Sequence, residues 1–487
     1  MFLGQLKKHR KNILLFLLAF VIMAIYLKTF DSMAAISGDA ASIWQTIKSY
    51  YSGKMLPSYV MYKGFLSVFP YVWLYQLSLF FHVGDFFFVK LYHCLLFAYI
   101  VAIGFPCFVS RLLHKNVEVW KRITIIFLLF FLWKFNIAFS QIMVDLPSLT
   151  CFLLLVNSVI HLAEKGLQAN KIYFIYTGLL FGLNLCFSGQ YTLATICVFA
   201  YVLIKLFPVR MLRDKAMRLT TVLALLCLII GIVPPKAYNT YFEKTVVQPF
   251  RDQGVWLPTS QQWAEYVFLN KMFNEKSSTG AAIPDHRGDA ILQDYYGEEY
   301  KEVVSSIQTG GGSITFFEYL KISMTHPVDS LSRWFNRLFL SLSLDNGRQS
   351  ISSLFLAYTA LFTVLLIIKK KCKTVKEFFS PTFVLISAFV CAVLPICATF
   401  VELRYCMVLQ GLIIVAAVFD DTIWDGIKSF WDCIKKGIAH HPFIGISEKR
   451  FPYTFALYCI FLLICFIHYA AIYENVSSIP SQILFTW

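Results

Sequence analysis

Residues Tyr59-Val-Met-Tyr-Lys-Gly-Phe-Leu-Ser-Val-Phe-Pro-Tyr-Val-Trp-Leu-Tyr75 decide how this chain is read. They belong to a stretch, 31–90, that opens polar with Gly38-Asp39 at its head and then turns apolar and aromatic. Residues 40–51 carry an apolar stripe at Ala40, Ile43, Trp44, Ile47 and Tyr51, which is helical spacing. The stripe predicts an amphipathic helix lying on a membrane surface, broken by Gly53, Pro57 and Ser58. Residues 65–82 are apolar enough to pass for a membrane crossing. Parity decides against that reading. If 65–82 crossed, every later basic loop would change sides; as an in-plane or shallow helix, it leaves the basic loops together on one side.

Composition sets the class. The chain has 487 residues, 58% hydrophobic and only 15% charged, with mean hydropathy +0.64. A soluble protein would carry roughly a quarter charged residues. Several apolar runs reach the roughly 20 residues that a bilayer crossing needs, so the fold class is an all-α polytopic membrane protein. A β-barrel would show alternating segments of about ten residues instead. The net charge of +15 sits mainly in short loops between apolar runs, the positive-inside pattern, and points to no nucleic acid. The 13 cysteines lie mostly inside apolar runs, none between 237 and 347, and no CxxC or Cys/His spacing suggests a metal. The first apolar run is followed by no small-residue cleavage site and reads as a retained anchor.

Taken in order, Lys7, Lys8, Arg10 and Lys11 place the N-terminus in the cytoplasm. About eleven crossings follow, near 13–29, 86–110, 123–140, 146–162, 172–187, 191–206, 219–235, 350–368, 380–400, 405–419 and 453–472. Residues 1–235 form an N-terminal transmembrane module whose first outer loop is 30–85. Residues 236–346 form an outer-side soluble loop or domain, with Gly310-Gly-Gly312 as a hinge and an amphipathic tail through Trp334-Phe335. Residues 347–487 form a C-terminal transmembrane module.

This topology gathers Asp39, Lys63, Asp145 and the Glu402, Arg404, Tyr405 cluster on the outer side. Ionisable groups at membrane depth are expensive, so they mark function or pairing. Each has a plainer reading. Asp39 opens a predicted helix and suits an N-cap. Lys63 suits a cation snorkelling to the interface. Asp145, before Leu146-Pro147, suits a cap with proline in the first turn. Glu402 and Arg404 suit a local pair. No Gly-rich dinucleotide fingerprint, P-loop or HExxH sequence occurs.

The order of these features resembles the C-type glycosyltransferase superfamily, the integral-membrane enzymes that use polyprenyl-phosphate sugars. A first span is followed by an outer loop that begins near an Asp. Tyr62-Lys63-Gly64-Phe65-Leu66 then leads into an aromatic helix and the turn His82-Val-Gly-Asp85. This is similar to the Y-x-K-P-P-L…W-L…L-F-G pattern of the protein mannosyltransferase and lipid A aminoarabinose transferase branches. Asp145 before the fourth span and Glu402-Leu-Arg-Tyr405 before a late one fit as well. The likeness covers most of the chain in topology and about 50 residues in motif. It departs where Gly64-Phe65 replaces Pro-Pro, and where an acidic pair is reduced to Asp39 with Asp31 eight residues earlier.

The resemblance implies an inverting transfer from a polyprenyl-phosphate sugar donor to an envelope glycan, lipid or protein acceptor, at the outer face of a bacterial membrane and with no cofactor. Asp39 would be the general base, and Asp145 would orient the acceptor or tune Asp39. Lys63 and Arg404 would hold the phosphate, with Tyr62, Glu402 and Tyr405 beside them. Tyr59, Tyr62, Phe65, Tyr71 and Trp73 would line the lipid path, contact the sugar, or simply anchor at the interface. Two other activities remain open at this point. A lipid-linked glycan transporter or flippase would want charged or broken helices in mid-membrane. A glycan polymerase or ligase would rest on Arg251, His286 and Arg287.

Overall fold

The computed structural model describes residues 2–30, 38–52, 65–115, 117–134, 136–187, 189–207, 215–255, 257, 287–308, 315–342, 351–371, 381–395, 403–421, 424–425, 428, 432 and 450–474. Among the described residues the fold is helical throughout, with no strand. The helices are α1 (Phe2–Thr29), α2 (Gly38–Tyr51), α3 (Phe65–Phe80), α4 (Phe87–Leu113), α5 (Val119–Trp133), α6 (Asp145–Lys165), α7 (Lys171–Phe187), α8 (Thr192–Leu206) and α9 (Lys215–Phe242). They continue as α10 (Arg287–Tyr296), α11 (Tyr300–Gln308), α12 (Phe316–Thr325), α13 (Pro327–Ser341), α14 (Ile351–Lys371), α15 (Pro381–Cys391), α16 (Leu403–Phe419) and α17 (Arg450–Glu474).

Among the described residues, six helical stretches are long and apolar enough to cross a membrane: Arg10–Thr29, Phe87–Leu113, Asp145–Gln168, Gly189–Leu206, Met217–Asp252 and Tyr453–Ala470. Shorter apolar helices, among them Lys171–Phe187, Leu354–Lys369 and Arg404–Phe419, pack with them. In lipid every backbone polar group must be satisfied within its own segment or by a protein neighbour. Helix α4 shows how. A π-helical turn at Ile100–Gly104 disturbs its regular hydrogen bonds. Arg122 Nη2 donates to the Ala102 carbonyl (2.6 Å) and Asn157 Nδ2 to the Gly104 carbonyl (2.9 Å).

Two expectations are corrected here. The seventh crossing was expected to stop at Pro234-Pro235, but α9 runs through both prolines to Phe242. Proline's fixed φ is compatible with a helix; what it removes is a donor, here for the carbonyls of Ile230 and Gly231. Prolines are tolerated in membrane helices where neighbours compensate. The stripe on α2 was expected to face a membrane surface. Instead Ile43, Trp44 and Ile47 are buried in a cluster with Val68, Tyr71 and Val72 of α3, while Tyr51 is exposed.

Apolar burial against lipid supplies little drive between helices, so close packing holds the bundle. Phe97, Phe105, Phe108, Trp133, Phe139, Phe152 and Phe389 fill its middle in ring contact. Helices α7 and α9 touch backbone to backbone: a Cβ on Gly178 would overlap the Leu228 carbonyl, and one on Gly231 the Ile175 carbonyl. Gly231→Leu is therefore expected to cost about 3 kcal/mol or more, because backbone cannot yield as a side chain does. Thermal unfolding in nanodiscs reads this; a wild-type melting temperature would mean that the two helices do not meet at Gly231. At the far end of the bundle from the site described next, Lys115 and Lys121 hold Asp421 at 2.8 and 2.5 Å. The two ammonium groups pull its carboxyl down to about 2.

Candidate functional site

Three charged side chains meet at the end of the bundle where α6 and α16 begin. Asp39 is in the first turn of α2. Asp145 is the first residue of α6, after the irregular segment 141–144. Arg404 is the second residue of α16. Arg404 Nη2 donates to Asp39 Oδ2 at 3.3 Å, across 365 residues of sequence. Its Nη1 lies 3.9 Å from Asp145 Oδ2 and donates to Met143 Sδ at 3.2 Å. The guanidinium thus forks between two carboxylates, a geometry that suits arginine's planar donors. Its face also lies 4.7 Å from the centre of the Tyr405 ring, and the Tyr405 carbonyl accepts from Gln190 Nε2 at 2.8 Å.

The plainer readings of the two aspartates fare differently. Asp145 is not a cap: the N-cap is Val144, with no side-chain bond to the helix end. Asp145 is 3% exposed, and both its carboxylate oxygens are buried with no hydrogen-bond partner. A buried carboxylate facing one guanidinium at 3.9 Å retains unused acceptor capacity for a hydroxyl. Asp39 lies within the first turn, where a carboxylate also suits the helix dipole. It is the more accessible of the two. Tyr62, Lys63 and Glu402 lie outside the described residues. So the structure joins Asp39, Asp145 and Arg404, with Tyr405 against the guanidinium, and leaves the other three candidates unplaced. Among the described residues no three His, Cys, Asp or Glu side chains gather as a metal site would require.

The sequence reading missed how this corner is held. Tyr71, expected as a possible lining residue, is wholly buried, and its hydroxyl donates to the Met143 carbonyl at 2.7 Å. Its oxygen stands 3.0 Å from His93 Nε2, and His93 Nδ1 donates to the Phe139 carbonyl at 2.9 Å. Tyr71 and His93 thereby clamp α3 and α4 to the segment that delivers Met143 and Asp145. Trp73, by contrast, is exposed. A histidine in an apolar run was the available signal for His93. Lys48 adds a second tie, pairing with Asp85 at 3.2 Å and fixing α2 to the turn before α4.

No family model matches the chain, and no curated protein matches it. Tyr71→Phe tests the clamp. It keeps the ring but removes the hydroxyl that donates to the Met143 carbonyl and stands beside His93 Nε2, at an expected cost of about 1–3 kcal/mol. Thermal unfolding measures this, and an unchanged midpoint would mean that the hydroxyl adds no net stability.

Proposed function

We propose that this protein is an inverting membrane glycosyltransferase that moves a sugar from a polyprenyl-phosphate donor to an envelope glycan, lipid or protein acceptor. The observation that carries the reading is the convergence of Asp39 and Asp145 on Arg404 at one end of a membrane-helix bundle. In this reading the chain crosses about eleven times, the shorter apolar helices included, with α2 and α3 lying in the plane of the membrane. The N-terminus is cytoplasmic and the site opens to the outer face of a bacterial inner membrane. The span count and orientation rest on the basic loops.

The chemistry follows from what the three groups can do. The Asp39 carboxylate takes the proton from the acceptor hydroxyl as that oxygen attacks the sugar's C1. The C1–O bond to the phosphate breaks from the opposite face, and the bonding pair leaves with the polyprenyl phosphate. One displacement with no covalent enzyme intermediate inverts C1. Arg404 steadies the phosphate as charge builds on it, since preorganised donors aimed at developing charge contribute most in a water-poor site. Lys63 adds a second cation for the same phosphate. Asp145, with its oxygens unspent, accepts from another acceptor hydroxyl and so aligns the nucleophile. Tyr62, Glu402 and Tyr405 flank the donor.

The test is transfer itself. Wild-type protein in nanodiscs, given radiolabelled polyprenyl-phosphate sugars and envelope acceptors, is expected to produce labelled acceptor of inverted anomeric configuration. Movement of lipid-linked glycan between leaflets without new glycosidic bonds would replace this reading with a translocase.

A further inference from the structure

Helices α12 and α13 fold back on each other around His326. Their rings meet inside the hairpin, where Trp334 Nε1 donates to Tyr319 Oη at 2.9 Å. The two faces of α13 are the reverse of what water would select. Its buried residues include Ser330, Arg333, Arg337 and Ser341, a polar stripe at helical spacing. Its outward residues include Val328, Leu331 and Phe335. On α12, Phe317 and Met324 point outward as well, and all five apolar side chains are 60% to 81% exposed. Lys321, also exposed, lies between Phe317 and Met324 on the same helix face. Of the exposed acidic residues of this region, Asp329 lies in the first turn of α13, while Asp294 sits on α10, Glu298 and Glu299 on the turn 297–299, and Glu302 on α11.

The exposed apolar face of the hairpin leads onto a helix long and apolar enough to cross a membrane. Phe335 and Phe339 both pack on His468 of α17, with ring centres 5.8 and 4.8 Å away, and Phe339 also meets Tyr358 of α14 at 5.3 Å. Helix α17 contains one of the six apolar stretches of spanning length, and its Ile460, Leu463, Ile464 and Ile467 are exposed. The end of α13 reaches deeper still: the Ser341 carbonyl accepts from Gln410 Nε2, whose Oε1 accepts from Trp133 in the bundle core, both at 3.0 Å. The exposed face of the hairpin is thus continuous with a lipid-facing surface.

We propose that the α12–α13 hairpin is seated in one leaflet of the bilayer, with Phe317, Met324, Val328, Leu331 and Phe335 among the acyl chains and Lys321 reaching up to the headgroup phosphates. An interfacial helix binds in this way, apolar side chains at the acyl boundary and cations above them. Its polar stripe then faces protein because the other side is hydrocarbon. Residues 316–341 are in consequence part of the membrane body and not of a soluble outer domain. This inference needs only the membrane character of α17 and does not rest on the proposed sugar transfer.

The test places the photoreactive residue benzoylphenylalanine at Leu331 or Phe335 in the full-length protein, with Glu299 as control. The protein is held in nanodiscs of phosphatidylethanolamine and phosphatidylglycerol with tritiated acyl chains. Lipid adducts at Leu331 and Phe335 are expected to exceed those at Glu299 by about tenfold, as a buried apolar face requires. Equal labelling at all three positions would overturn the proposal. So would cross-links from Leu331 and Phe335 to a second copy of the chain in place of lipid. As a second measure, Phe335→Glu is expected to raise hydrogen exchange of the α13 amides in nanodiscs; exchange unchanged from wild type would also overturn it.

Discussion

Asp39→Asn is expected to reduce sugar transfer by about 10²–10⁴-fold, the usual worth of a general base, while the protein stays folded. Asparagine has nearly the same shape, and its side-chain oxygen still accepts from Arg404 Nη2, now 3.3 Å from Asp39 Oδ2. What it loses is the ability to take a proton. Asp145 keeps Arg404 company on the other side, so the change does not strand the guanidinium. Transfer assayed in nanodiscs, with thermal stability matched to wild type, isolates the chemical step. Full transfer by Asp39→Asn would leave Asp39 as a first-turn carboxylate that complements the helix dipole and move the base to Asp145.

Arg404→Ala is expected to be the most damaging single change to the site, for a different reason. Asp145 is buried and neither oxygen has a hydrogen-bond partner, so Arg404 is the cation that accompanies its charge. Removing one partner of a buried pair leaves an uncompensated charge and costs about 3–5 kcal/mol. Thermal unfolding of Arg404→Ala would show this, and Arg404→Ala combined with Asp145→Asn should recover much of the loss, because the stranded charge is then gone. Wild-type stability in the single variant would mean that Asp145 needs no cation. Arg404→Lys separates charge from shape. A single ammonium cannot reproduce the fork to Asp39, Asp145 and Met143, so stability should return further than transfer does.

Much of this was legible from the residues. The stripe at Ala40, Ile43, Trp44 and Ile47 foretold helix α2 and its buried face, since helical period and apolar spacing are local. What covers that face was not legible, because a stripe reads the same against lipid or against a neighbouring helix. Here the partner is α3. Pro234-Pro235 misled for a related reason: proline is a strong punctuation mark in soluble helices, yet α9 passes through it. The cap reading of Asp145 fails on Val144 and on the absence of any side-chain bond to the helix end. His93 went unnoticed because one histidine in an apolar run gains meaning only when Tyr71 and the Phe139 carbonyl are seen on either side of its ring.

The sequence by itself determined that this is an all-helical membrane protein. Composition, apolar run length and the placement of lysines and arginines are additive properties of short segments, and each helix closes its own hydrogen bonds. It also supplied the short set of ionisable residues worth examining, because a charge at membrane depth must be explained. Only the tertiary structure decided that Asp39, Asp145 and Arg404 belong together, that Tyr71 and His93 hold the segment carrying Asp145, and that α13 turns its polar side inward. Those facts depend on which helix faces meet, from 22 residues apart for Tyr71 and His93 to 365 for Asp39 and Arg404. Helix contact in a membrane is set by close packing of small and large side chains, and no local pattern in the chain records its partner.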